Sequence, residues 1–159
     1  MNYLTFPLLQ NEEIKILKEN LSSNNSPWED GKKTAGILAS KVKNNLQLNR
    51  DSDSSKTNAA FIVKKLLNNA LIKSFALPKK IHGIMFTKSS MGMKYGRHID
   101  NAYMSSGRAD LSFSIFLNKK DSYGGGELVI ENINAENKFK LNEGEIIIYP
   151  STYLHSVEE

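Results

Sequence analysis

Residues 109–118 read Ala-Asp-Leu-Ser-Phe-Ser-Ile-Phe-Leu-Asn, and their alternation decides the fold class. Leu111, Phe113, Ile115 and Leu117 recur at every second position, with Ser112, Ser114 and Phe116 between them. On an extended chain a period of two sends the first set to one face of a sheet and the second to the other. Downstream, Gly124-Gly125-Gly126 forms a turn. Further short strands are expected over 127–131, 138–141, 145–149 and 153–157, separated by Asn132-Ile133-Asn134, Glu143-Gly144 and Pro150. Upstream, Ile81 to Thr87 also reads as a strand. Before Pro78 the period changes to helical. Ala60, Val63, Leu67, Leu71 and Phe75 recur at three and four, which predicts the longest helix over 57–76, stopped by Pro78. Residues 11–22 form a second helix through Ile14, Ile16, Leu17 and Leu21, with Glu12 and Glu13 in the first turn where the helix dipole favours anions. Residues 22–31 read as a polar connection holding Trp28, and 32–50 carry no clear period. Helices first and many short strands afterwards predict an α+β fold with a mainly β core. The expected form is a jelly roll or barrel-like double sheet with helices packed outside.

The 159 residues are enough for one domain with a substantial core, a helical part over 1–78 and a β part over 79–159. The apolar fraction of 40% and charged fraction of 24% are those of an ordinary globular chain, and they exclude collagen, a coiled coil and a disordered tail. No window approaches the apolar run needed to span a bilayer, and the opening MNYLTFPLLQNEE lacks the basic and small-residue features of a secretory leader. There is no cysteine, so disulfide frameworks, thiolate metal sites and thiol nucleophiles are excluded, and a cytoplasmic location is expected. Charge is uneven: residues 1–97 hold 16 Lys/Arg against 7 Asp/Glu, and residues 98–159 hold 5 against 10. The lysines are scattered in pairs with no interleaved aromatics, which argues for a solvated surface and against a nucleic-acid partner.

Three histidines are available, His82, His98 and His155. His98 and Asp100 are two residues apart, so on an extended chain both face the same side. His155 closes another expected strand. Two imidazoles and one carboxylate form the facial set that binds Fe(II) and leaves further coordination positions open. His82 fits no ligand spacing and reads as a structural histidine. Arg97 should point away from His98 on the opposite face of its strand.

The segments YGRHID, RADLSFSIFLN, DSYGGGELVI and LNEGEIIIYPSTYLHSV, with WEDGKKTAGILASKVKNN earlier, resemble the PKHD-type hydroxylases. These are Fe(II)/2-oxoglutarate-dependent dioxygenases related to prolyl 4-hydroxylases, and the likeness runs along most of the chain. It implies a double-stranded β-helix core with His98, Asp100 and His155 as iron ligands. It also implies 2-oxoglutarate as cosubstrate, O₂ as co-reactant, ascorbate as reductant, and a peptidyl or small-molecule substrate. Tyr95 and Ser112 are expected at the cosubstrate pocket, with Arg108 and Asp110 nearby. Two departures stand out. A second Tyr of that pattern is Ser89 here. The Arg with which the family clamps the far carboxylate of 2-oxoglutarate would fall beyond Glu159, so a C-terminal strand and helices are expected to be missing. Two other readings follow from these residues: a metal-binding fragment with impaired catalysis, and a cupin-like binding protein, against which the missing His-x-His pattern counts.

Overall fold

The computed structural model describes residues 3–23, 26–104 and 107–159. In chain order the elements are β1 (Leu4–Pro7), α1 (Asn11–Ser22), β2 (Trp28–Asp30), β3 (Lys43–Asn44), β4 (Leu46–Leu48), α2 (Asp53–Asn68), α3 (Ala70–Ala76), β5 (Thr87–Lys88) and β6 (Lys94–His98). They continue with β7 (Tyr103–Met104), β8 (Gly107–Arg108), β9 (Leu111–Ile115), β10 (Leu128–Glu131), β11 (Glu136–Phe139), β12 (Glu145–Pro150) and β13 (Leu154–Val157). The fold is α+β, with the helices in the N-terminal half and antiparallel sheets formed mainly from the C-terminal half. No described helix is long and apolar enough to cross a membrane.

β12 organises the core. Its sequence, Glu-Ile-Ile-Ile-Tyr-Pro, is apolar at four successive positions and is buried on both faces. Ile146 and Ile148 face the helices, packed with Ile14, Leu17 and Leu21 of α1, Ile62 and Leu66 of α2, and Ile72 of α3. Ile147 and Tyr149 face the other way, onto Leu128 and Ile130 of β10. β12 lies in a three-stranded sheet of order β1-β12-β9, and β10 in a five-stranded sheet of order β11-β10-β13-β6-β3. The layers are therefore helices, one sheet and a second sheet, with an apolar seam in each gap. Full burial of an isoleucine side chain contributes about 1.5–3 kcal/mol. Three buried isoleucines and a buried tyrosine in one strand explain why this segment sits at the centre. The turn into β12 requires glycine: Gly144 has φ +83, and an added Cβ would lie 2.7 Å from Ile14 Cδ1 and 2.8 Å from the Leu9 carbonyl oxygen.

The alternation in 111–117 holds. Leu111, Phe113, Ile115 and Leu117 pack on the helix side, and Phe116 packs on the other. Four expectations are corrected. The 57–76 helix is two helices, because Asn69 adopts an extended conformation (φ −80, ψ 122) and its side chain accepts from Ile72 N–H at 3.0 Å, capping α3. The buried stripe is Ile62, Leu66 and Ile72 rather than Val63, Leu67 and Leu71, so the face is rotated from the one expected; Ile16 of α1 is likewise exposed. Residues 81–86 carry no strand, and only Thr87 and Lys88 pair, with β4. The unassigned stretch contains β3 and β4, and Trp28 begins β2 rather than lying in a connection.

Candidate metal centre

β6 and β13 are antiparallel neighbours, and their register sets His98 directly opposite His155. The ring centroids are 4.2 Å apart. Both residues are buried, at 9% and 4% exposure. Strand β6 ends at His98, so Asp100 lies just past the strand, where its carboxylate turns back toward both rings. His98 Nε2 is 3.8 Å from Asp100 Oδ1, and His155 Nε2 is 3.7 Å from Asp100 Oδ2. One ligand atom from each of the three residues lies within 4.8 Å of the others.

The far side of each imidazole fixes its tautomer. His98 Nδ1 is 2.8 Å from the Gly96 carbonyl oxygen, and His155 Nδ1 is 3.0 Å from the Tyr153 carbonyl oxygen. A carbonyl oxygen only accepts, so each Nδ1 carries the hydrogen and, in the neutral ring, each Nε2 presents its lone pair. Backbone orientation of this kind is how metal-ligating histidines are held. Burial, followed by the neighbouring His155, pushes the His98 pKa down to about 4, so this ring is neutral at pH 7. Two bare imidazole nitrogens and a carboxylate oxygen, with no thiolate, form a donor set suited to Fe(II).

The surrounding side chains hold this set in place. Tyr95 stacks on His98 with centroids 3.6 Å apart and an interplanar angle of 15°. Its phenol is pushed up to about 12 by burial and then by Asp100, so it remains a hydrogen-bond donor. Tyr149, on β12 in the other sheet, meets the edge of His155 at 5.2 Å, and burial keeps its phenol protonated as well. Ser112, expected beside the cosubstrate, reaches from β9 and donates its hydroxyl to Asp100 Oδ2 at 2.6 Å. Arg97 points to the opposite face, as its alternation predicts, and pairs with Glu131 at 2.5 Å and Glu136 at 3.3 Å. Arg108 and Asp110 pair with each other at the exposed rim. His82 stands apart from the cluster, with Nε2 3.0 Å from the Arg108 carbonyl oxygen.

The centre opens into a cleft of about 1420 Å³ whose walls include Lys43, Arg50, Tyr95, Ser112 and Tyr149. Sequence reasoning missed Lys43 and Tyr149. Lys43 is brought in by the pairing of β3 with β6, which sets it opposite Tyr95. Tyr149 had a signal, the unbroken apolar run of β12, which marks a strand buried on both faces and so one face turned toward the centre.

Residues 84–159 match the family model of the 2OG-Fe(II) oxygenase superfamily. The chain is 70% identical over 159 residues to a PKHD-type hydroxylase of Prochlorococcus marinus strain AS9601, a match covering 100% of this chain and 72% of the relative. It is 51% identical over 158 residues to a PKHD-type hydroxylase of strain MIT 9313, covering 99% of this chain and 72% of the relative. Among solved structures it resembles a Pseudomonas putida prolyl-4-hydroxylase, with TM-score 0.65, 14% identity and coverage of 99% of this chain and 84% of the other. It also resembles a Trichoplax adhaerens prolyl hydroxylase solved with a peptide fragment of the hypoxia inducible factor oxygen degradation domain, with TM-score 0.68, 16% identity and coverage of 99% and 77%. At these identities the two structures speak to the fold.

Proposed function

Because the chain belongs to the PKHD-type hydroxylases of the 2OG-Fe(II) oxygenase superfamily, we propose that it holds Fe(II) on His98 Nε2, Asp100 and His155 Nε2 and hydroxylates a peptidyl or small-molecule substrate. The observation that carries this reading is the pair of buried imidazoles, each with Nδ1 fixed on a backbone carbonyl and Nε2 aimed at one carboxylate. The balance is substrate C–H, 2-oxoglutarate and O₂ converted to substrate C–OH, succinate and CO₂. Bound Fe(II) supplies the redox chemistry that couples these changes, and ascorbate serves to restore the ferrous state after unproductive turnover.

The chain's own residues do the rest. Gly96 and Tyr153 hold the two Nδ1 hydrogens, which keeps each ring in its ligating tautomer. The Ser112 hydroxyl occupies Asp100 Oδ2 and leaves Oδ1 as the oxygen free to bind the metal. Tyr95 packs flat on His98 and, as a protonated phenol, lines the cosubstrate pocket. The two packed antiparallel sheets are read as a double-stranded β-helix, supported by the likeness to the two prolyl hydroxylases. One apolar cluster joins α1, α2 and α3 to β12, which supports a single domain over 1–159.

The test is succinate release from 2-oxoglutarate under O₂ with Fe(II), run metal by metal and against His98→Ala. Activity with Fe(II), lost in the variant, is the expected result. Turnover that survives His98→Ala, or that prefers Zn(II), would overturn the assignment.

A further inference from the structure

Arg97 sits in an irregularity of the sheet that carries both histidines. His98 pairs with His155 and Tyr95 with Val157, so three steps along β6 match two along β13. The extra residue of this β-bulge falls at Gly96–Arg97. It is what lets Tyr95 and His98, three positions apart, share a face and stack. A bulge leaves one residue outside the ladder, so backbone pairing alone holds its position weakly. A shift of one residue would turn His98 to the outer face of the sheet.

On that outer face, Glu131 and Glu136 stand directly opposite each other in the β10–β11 pair. Like charges at such a position repel and destabilise the pair. Arg97 lies against both: its Nε is 2.5 Å from Glu131 Oε1, and its Nη2 donates to Glu136 Oε2 at 3.3 Å. Glu131 Oε1 is buried, and the guanidinium closes on it as an ion pair without hydrogen-bond alignment. In the strand order β13 lies between β6 and β10, so the Arg97 side chain crosses the strand that bears His155. Two carboxylates that would repel each other without Arg97 thus hold its side chain, and its side chain holds the bulge.

We propose that Arg97 is a positioning residue for the metal centre. With Glu131 and Glu136 it locks the β6 bulge in the register that sets His98 opposite His155 and against Tyr95. The proposal rests on the Fe(II) reading of that centre.

The test titrates Mn(II) into the metal-free protein by calorimetry. It compares the parent with His98→Ala, Arg97→Met, Arg97→Lys, Arg97→Glu, and Arg97→Glu combined with Glu131→Lys. Arg97→Met is expected to weaken Mn(II) binding about three- to tenfold, the scale of two partly exposed ion pairs. The sign is diagnostic, because losing a nearby cation would by charge alone tighten the binding of a dication. Arg97→Lys keeps most of the affinity. Arg97→Glu weakens binding further, and adding Glu131→Lys recovers most of the loss, because the cation then stands at 131 between two carboxylates. Metal-free melting is the structural control: the Arg97 side chain is 63% exposed, so each variant should melt near the parent. The proposal is overturned if Arg97→Met binds Mn(II) within twofold of the parent or more tightly. It is equally overturned if Glu131→Lys does not recover the Arg97→Glu loss. A fall in metal-free melting that accompanies every loss of affinity also overturns it, since a residue that only stabilises the fold behaves that way. Parent binding that is indifferent to His98→Ala sinks the metal reading and this proposal with it. Binding that requires His98 but not Arg97 sinks the proposal alone.

Discussion

Replacing Ser112 by Ala removes the hydroxyl that stands 2.6 Å from Asp100 Oδ2. The bond has a charged acceptor, and such bonds contribute about 1.5–3 kcal/mol net. At about 1.4 kcal/mol per decade that range corresponds to roughly a 10- to 100-fold change in an equilibrium. The Asp100 side chain is 39% exposed, so water replaces part of what the hydroxyl supplied, and the lower end applies. Isothermal titration of the metal-free variant with Mn(II) should therefore show a dissociation constant about tenfold above the parent's. The loss arises because the carboxylate, no longer held at Oδ2, must be ordered by the metal itself. Ser112→Thr keeps the hydroxyl and should recover most of the affinity. A second titration, of 2-oxoglutarate into the Mn(II)-saturated variant, separates the two roles open to this serine. If Mn(II) affinity stays within twofold of the parent and only 2-oxoglutarate affinity falls, Ser112 is a cosubstrate contact and the positioning argument is refuted.

Three further outcomes follow from the same structure. In the metal-free protein the folded His98 stays neutral down to about pH 4, whereas an unfolded histidine takes a proton near pH 6.5. The unfolded state thus binds more protons between these values, so stability should fall by about 3 kcal/mol as pH drops from 7 to 4, readable from urea midpoints; a flat profile contradicts the burial argument. Gly144→Ala forces an L residue to φ +83 and places a Cβ 2.8 Å from the Leu9 carbonyl oxygen, and should cost about 2–4 kcal/mol in chemical denaturation. Gly124→Ala, whose Cβ would meet nothing within 4 Å, serves as the near-neutral comparison. Ile147→Ala empties a position that is 0% exposed between the two sheets and should cost about 2–5 kcal/mol, whereas Ile133→Ala, at 99% exposure, should change the melting temperature little.

The residue types of the centre were legible because the chemistry needs few of them. With three histidines and no cysteine, His98, Asp100 and His155 stood out as the set that could bind a metal together. The alternation of 111–117 and the apolar run of β12 were legible for a related reason. A period of two and an unbroken apolar strand are direct images of which faces are buried. The buried helical face lies one position from the periodic apolar stripe. The apolar pattern through 57–76 runs without a break, and the Asn69 cap that separates α2 from α3 competes with helix propagation through a single side chain.

The sequence alone therefore determined the α+β class, the order of helices before strands and the identity of the three side chains that meet in the candidate metal centre. These follow from local periodicity and from the scarcity of ligand-type residues. Tertiary structure alone decided what Ser112 touches there, and that Tyr149 and Lys43 come near the centre. Ser112 arrives from β9 in the facing sheet, Tyr149 from β12, and Lys43 from a two-residue strand paired with β6. Strand pairing and sheet packing join residues at arbitrary separations along the chain, and such contacts leave no spacing that a sequence can show.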